Sequence, residues 1–111
     1  MDEEMSSTEI ASFQIIAAVG TARSKYVAAI EAAEEGNFDV AENLLEDGKK
    51  DYLQGHDAHA GLLTKLANGE LPPTDLLLVH AEDQLMSAEN FCILAEHFIK
   101  LYKTLAAGSI G

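Results

Sequence analysis

The chain has 111 residues, 48% of them apolar, which is enough for one core and predicts a single domain over residues 1–111. Nineteen acidic against seven basic residues give a formal charge of -12, which disfavours nucleic acid and anionic membranes as partners. The start, Met1 to Met5, has neither the basic nor the apolar region of a signal peptide. No apolar run approaches the roughly 18 residues that a membrane span needs, so we expect a cytoplasmic protein.

A first helix is predicted to begin at Ser6, because Ser6 and Glu9 have the spacing of a capping box. Its end is indicated by Gly36, a residue that readily closes a helix, and Asn37 can cap the next one. Within this first helix, apolar positions recur every three or four residues, and we expect them to form its buried face. They are Ile10, Phe13, Ile16, Ala17, Gly20, Val27 and Ile30.

Two further helices follow from the same periodicity and from strong breakers between them. Asn68-Gly69 and Pro72-Pro73 should end the second helix, and Thr74 or Asp75 can cap the third. The expected inward face of the second comprises Phe38, Ala41, Leu45, Gly48, Tyr52, His56, His59, Leu62, Leu63 and Leu66. That of the third comprises Leu76, Val79, His80, Asp83, Met86, Asn90, Leu94, His97, Phe98, Leu101 and Leu105.

Three long helices joined by short turns must alternate in direction, because such connections allow only antiparallel neighbours. Period-two alternation and β-branched runs are missing from the sequence, which argues against strands. The expected fold is therefore all-α, an antiparallel three-helix bundle that runs up, down and up.

Several polar residues could be metal ligands or simple packing residues. His56 and His59 share a helix face, and Asp57 lies between them. No further Cys or His completes a tetrahedral set, which favours packing or hydrogen bonding for this pair and for His97. The single Cys92 stands among apolar neighbours, so we assign it to packing and give it no chemical role.

His80 follows the apolar run that begins at Leu76, so its imidazole should emerge from packed helix rather than from a loop. At roughly 100° per residue, Asp83 and Gln84 share a face with it and could hold one ring nitrogen neutral and nucleophilic. Asp83 also falls on the apolar stripe, where an isolated carboxylate is costly. It could lie in water or pair with a neighbouring helix, or three copies could meet around a cation; helical position alone favours the first two.

The segment from Leu76 to Met86 resembles the active-histidine segment of the lactose/cellobiose-specific IIA components of the bacterial sugar phosphotransferase system. The resemblance extends to Ala22-Arg23-Ser24, to Gly55-His56 and to the terminal run from Ile99 to Lys103. Three helices in about 100 residues also fit that family.

The resemblance implies that His80 accepts a phosphoryl group from phospho-HPr and passes it to a cysteine of the cognate IIB component, with no direct binding of sugar. Uptake of a β-linked disaccharide of the lactose, cellobiose or chitobiose class would follow. The family's unit is a homotrimer, in which the residue matching Asp83 lies near the axis and binds a divalent ion, commonly Mg²⁺. Residues expected to support the site are Gln84, Glu82, His56 and His59.

Four positions depart from the usual family pattern. Glu82 and Gln84 stand where Gln and His are usual, and His59-Ala60 replaces a Gln-Thr pair. Glu82 adds a negative charge near an incoming phosphoryl group, so we predict slower transfer or greater dependence on the metal than with Gln there.

Two other functions are open to a chain of this kind. A histidine phosphotransfer domain of two-component signalling is also small, acidic and helical, but it usually has Lys and Gly shortly after the histidine, where this chain has Asp83 and Gln84. A non-catalytic helical interaction module, in which His80 is incidental, is the third interpretation. Phosphorylation of His80 would distinguish the phosphoryl relay from such an interaction module.

Overall fold

A computed structural model describes residues 5–70 and 74–108 and confirms the expected class of fold. Three helices follow in order, α1 (Ser7–Glu34), α2 (Phe38–Ala67) and α3 (Leu76–Ala106). The two described ranges contain no strand. No helix in them is long and apolar enough to cross a membrane.

The helix ends follow the local signals of the sequence. Ser6 accepts a hydrogen bond from the backbone N–H of Glu9, and the Glu9 carboxylate accepts one from the backbone of Ser6, which completes the capping box. Gly36 takes a positive φ of 83° in the turn after α1. Asp75 caps α3 by accepting from the backbone N–H of Leu78 at 2.9 Å. Asn37 occupies the N-cap of α2 without a side-chain hydrogen bond, and the predicted stop at Pro72-Pro73 lies outside the described residues.

Contacts between helices confirm the predicted up, down and up order. Position 48 of α2 lies against Tyr26 and position 55 against Val19, so residue numbers fall along α1 as they rise along α2. The pairs His59 with Glu82 and Lys49 with Glu96 show the same reversal between α2 and α3.

Among the described residues the core consists of two apolar clusters, and the one beneath His80 is built mainly from α1 and α3. The buried members of this cluster are Ile15, Val19, Leu62, Leu78, Ala81, Leu85 and Ala88. Leu78 and Ala81 bracket His80 in the sequence, so the backbone that carries the histidine is anchored on the core.

The predicted inward face of α3 was wrong, and that of α1 was right only in part, since Ile16 and Ile30 are partly buried against the core. Ile10, Phe13 and Val27 are exposed, and α1 instead buries a face that begins with Thr8 and Ser12 and continues through Ile15 and Val19 to alanines. On α3 the buried residues are Leu78, Ala81, Leu85, Ala88, Ala95 and Ile99, whereas the predicted stripe lies on the opposite side. Small residues line the buried faces because the helices approach closely, and the periodicity of large apolar residues therefore indicated the outer surface.

For α2 the prediction was largely right. Ala41, Leu45, Gly48 and Leu62 are buried, and Tyr52 is half-buried. The exceptions lie towards the end of the helix. His56, Leu63 and Leu66 are exposed there.

Candidate functional site

His80 combines an exposed side chain with a fixed backbone. It lies just over one turn into α3, whose first turn is capped by Asp75. The adjacent Ala81 is fully buried. Leu78, two residues before His80, is buried on the same core face. A ring presented in this way can meet a second protein without a loop having to become ordered first.

Asp83 and Gln84 lie beside His80 on the helix surface, as their spacing predicts. Asp83 is exposed and Gln84 is half-buried. Asp83 lies about 60° around the helix from His80, towards the apolar residues Val79 and Met86, which are both exposed. In the part of the chain that the structure describes, neither side chain hydrogen-bonds to the imidazole.

Glu82 lies on the other flank of α3. Its Oε2 is 2.9 Å from Nε2 of His59 on α2, and the His59 side chain is 20% exposed while that of Glu82 is 46% exposed. Because residues two apart on a helix lie about 160° apart around its axis, Glu82 lies on the side of α3 opposite His80, and there its carboxylate contacts α2.

The remaining histidines do not join this arrangement. His56 is exposed, and its Nδ1 is 3.7 Å from Oδ1 of Asp57 on its own helix. His97 is exposed near the other end of α3, beside a groove that Glu42 of α2 also lines. Among residues 5–70 and 74–108 no three His, Cys, Asp or Glu side chains are grouped so as to hold a metal ion.

Asp83 alone supplies one carboxylate where a hard divalent cation requires about six oxygen ligands. Asp83 of one chain is therefore not sufficient to hold Mg²⁺. The surroundings fit a shared site better, since this exposed carboxylate stands within an exposed apolar face that a second copy could cover.

Cys92 has the structural role expected from its neighbours. It packs against the core cluster around Ala22 and Tyr26. Burial raises the pKa of its thiol, which reduces the fraction of reactive thiolate near neutral pH.

The contact between His59 and Glu82 was missed at the sequence level. The sequence predicts both residues beside the site, but as separate neighbours of it. The signal that could reveal this contact is the register of the two helices. In antiparallel helices, the two residue numbers of each contacting pair add up to nearly the same total. The pairs Lys49 with Glu96 and Glu42 with Lys103 follow the same rule.

The chain also matches known proteins over nearly its whole length. The family described as the lactose/cellobiose-specific IIA subunit of the PTS system matches residues 10–103. The lactose-specific EIIA component of Staphylococcus epidermidis is 36% identical, over 86% of this chain and 91% of that protein. The oligo-beta-mannoside-specific EIIA component of Bacillus subtilis is 38% identical, over 84% of each.

Solved structures agree with this relationship. The cellobiose-specific enzyme IIA of Bacillus anthracis superposes with a TM-score of 0.90 at 35% identity, covering 94% of this chain and 95% of that one. The match in sequence and the match in structure thus both cover most of the chain. The chain belongs to the lactose/cellobiose-specific IIA family of the sugar phosphotransferase system, whose members are phosphotransfer proteins.

Proposed function

We propose that the protein is a phosphocarrier whose acceptor is His80. A neutral imidazole nitrogen attacks the phosphorus of phospho-HPr, so that a new P–N bond forms as the bond to the carrier breaks. In the second step the cysteine thiolate of the IIB component attacks the same phosphorus, and the His80 nitrogen leaves with the electron pair of the P–N bond. Such transfers need alignment more than covalent assistance, which suits an imidazole on an anchored helix.

The observation that carries this assignment is the exposure of His80 on a backbone that Leu78 and Ala81 anchor in the core. The other histidines fit the role less well. His59 is engaged by Glu82, and His56 lies near Asp57 on its own helix. His97 lies more than four turns further along α3.

A homotrimer accounts for the exposed face of α3. This face lies opposite the core and carries large apolar side chains along the helix, of which Met86 is 56% exposed. Its exposed apolar residues are Leu76, Val79, Met86, Ile93, Leu94, Phe98, Leu101 and Leu105. An apolar surface of this length is unusual on a soluble monomer and suits association of copies. A threefold ring needs two complementary surfaces on each chain, and the exposed Ile10, Phe13 and Val27 of α1 could provide the second.

In such a trimer we place Asp83 near the axis. Three carboxylates there would repel one another, and a divalent ion such as Mg²⁺ would offset this repulsion when bound. The three Asp83 side chains would hold the ion together with further oxygen ligands, and its contribution would be neutralisation of charge in the assembly.

We infer that the transported sugar is a β-linked disaccharide of the lactose, cellobiose or chitobiose class. The named relatives serve lactose and oligo-β-mannoside, and the structural relative is cellobiose-specific. The relay itself has no need to bind sugar, because recognition belongs to the membrane component. Phosphate transfer from this protein to candidate IIB components would identify the cognate system.

Incubation with phosphoenolpyruvate, enzyme I and HPr tests the relay. We expect one acid-labile phosphate per chain, located on His80 by peptide mapping at alkaline pH. The His80→Gln variant should accept none, whereas His97→Gln should be phosphorylated as the wild type is. A wild type that acquires no phosphate, or that carries it on another residue, contradicts the proposal.

A further inference from the structure

Asn90 is an exposed polar residue in the middle of the outer apolar face of α3. On this face, exposed polar residues recur in steps of seven, and so do exposed apolar residues. The polar series is Asp83, Asn90 and His97, and the apolar series is Val79, Met86 and Ile93. These six positions together are called the seam below.

The spacing of the seam is that of helices that pack along one another. Seven residues come within about 20° of two whole turns, so a repeat of seven keeps one face towards a neighbouring helix with slight supercoiling. The two series alternate at separations of four and three, which forms one stripe about 27 Å long. The core of the single chain uses the other side of α3, where Leu78, Leu85 and Ile99 are buried. The seam is thus left for contact with a further helix.

A second copy of the chain is the partner that matches the seam. Around a threefold axis that runs along α3, symmetry places the same residue of each copy at the same height, so that Asn90 meets Asn90. A carboxamide both donates and accepts hydrogen bonds, so such groups can satisfy one another. An apolar helix of another protein would leave the same carboxamide buried without a partner, which is costly.

We propose that the three Asn90 carboxamides hydrogen-bond to one another across the seam of the homotrimer and fix the register of its α3 helices. This rests on the association of copies through α3 that is part of the proposed function. A copy displaced along the seam by three or four residues would set Asn90 against Met86 or Ile93 and leave its carboxamide unpaired. A buried asparagine at such a position costs stability and specifies register and the number of helices.

One competing arrangement uses the same residues. In an antiparallel pair centred on Asn90, Asp83 of each copy would lie at the height of His97 of the other, because both are seven residues from Asn90. That arrangement contains two copies, whereas the parallel one contains three. The mass of the wild type distinguishes them.

The test measures mass against concentration by sedimentation equilibrium, at one fixed concentration of Mg²⁺. Asn90→Asp preserves the size of the side chain but sets three carboxylates against one another. It should raise the concentration at half-dissociation roughly tenfold or more at neutral pH. Asn90→Leu should lower that concentration and add masses other than the trimer, because the polar layer no longer selects one register.

Asn43 provides the matched control. It is exposed on α2, which does not carry the seam, and Asn43→Asp adds the same charge to the chain. This variant should dissociate as the wild type does. Circular dichroism of each variant shows whether the helices remain folded when the copies separate.

The outcomes separate this inference from the proposed function. A monomeric wild type overturns the homotrimer and the role of Asn90 together, while phosphorylation of His80 is judged by its own assay. A trimeric wild type whose Asn90→Asp variant dissociates no more readily than Asn43→Asp overturns the role of Asn90 alone. An Asn90→Leu variant with one mass and unchanged dissociation would also contradict that role. A dimeric wild type would favour the antiparallel pair and overturn the parallel arrangement.

Discussion

Gly55 of α2 lies so close to Val19 of α1 that a Cβ on Gly55 would be 2.7 Å from Cγ1 of Val19. The fully buried Val19 belongs to the cluster that packs beneath His80, so it has little room to move. We predict that Gly55→Ala destabilises the protein by about 1–3 kcal/mol, the usual cost of overpacking. Urea unfolding followed by circular dichroism measures this change.

Gly61 provides the control for that substitution. It is also inside α2, but a Cβ there would meet nothing within 4 Å. Gly61→Ala should therefore stabilise the protein by about 0.5–1 kcal/mol through helix propensity. Destabilisation of similar size by both substitutions would show that close packing against Val19 is not the reason.

Replacing Met86 with Glu tests the proposed assembly. Met86 is 56% exposed in the single chain, so the substitution should leave the helical fold of the monomer intact. In a trimer whose copies meet on the outer face of α3, it would bury a charge, and we expect dissociation into folded monomers. Light scattering coupled to gel filtration gives the mass, and circular dichroism gives the helix content.

Leu53 offers a matched position for the same change. It is 55% exposed on α2, away from the outer face of α3, so Leu53→Glu should not alter the mass. A wild type that is monomeric at working concentration would refute the assembly outright.

Asp83→Leu tests the proposed ion at the axis. If three Asp83 carboxylates face one another, leucine removes their repulsion and continues the apolar layer between Val79 and Met86. The variant trimer should then be at least as stable as the wild type and should not respond to EDTA, whereas EDTA should weaken the wild-type trimer. Sedimentation velocity with and without chelator measures this. An Asp83→Leu trimer that dissociates more readily than the wild type would contradict the arrangement.

The sequence was a good guide to the helix ends and a poor guide to which faces are buried, and the reason is physical. Ser6, Gly36 and Asp75 act on neighbouring backbone groups, so their effect can be read from a few residues. Burial depends on partners distant in the chain. Ala22 and Ala81 are fully buried while Phe13 is 49% exposed, because close helix packing selects small residues.

The candidate site was predictable to a similar extent. His80 was identified by its segment and by its place on a helix, and its neighbours Asp83 and Gln84 follow from helical spacing alone. The contact between His59 and Glu82 depends on the register of two helices, which the turn between them determines. Local patterns do not reveal that register, so the sequence did not predict the contact of Glu82 with His59.

Tyr26 makes stability sensitive to alkaline pH. Burial, first of all, raises the pKa of its phenol, and the neighbouring Cys92 thiol adds to this effect, while among the described residues the hydroxyl makes no hydrogen bond of good geometry. The folded state therefore holds this proton more firmly than the unfolded state, where tyrosine titrates near 10. The unfolded chain loses the proton first as the pH rises, so the stabilising contribution is complete below about pH 10 and is lost above it. Urea unfolding between pH 8 and 11 should show a falling free energy of unfolding, with a gentler slope in Tyr26→Phe.

At pH 7 the same variant should be within about 1 kcal/mol of the wild type, because it removes an unpaired buried hydroxyl. Equal slopes for the two proteins would mean that other groups, such as Tyr52, whose pKa burial also raises, govern the alkaline limit.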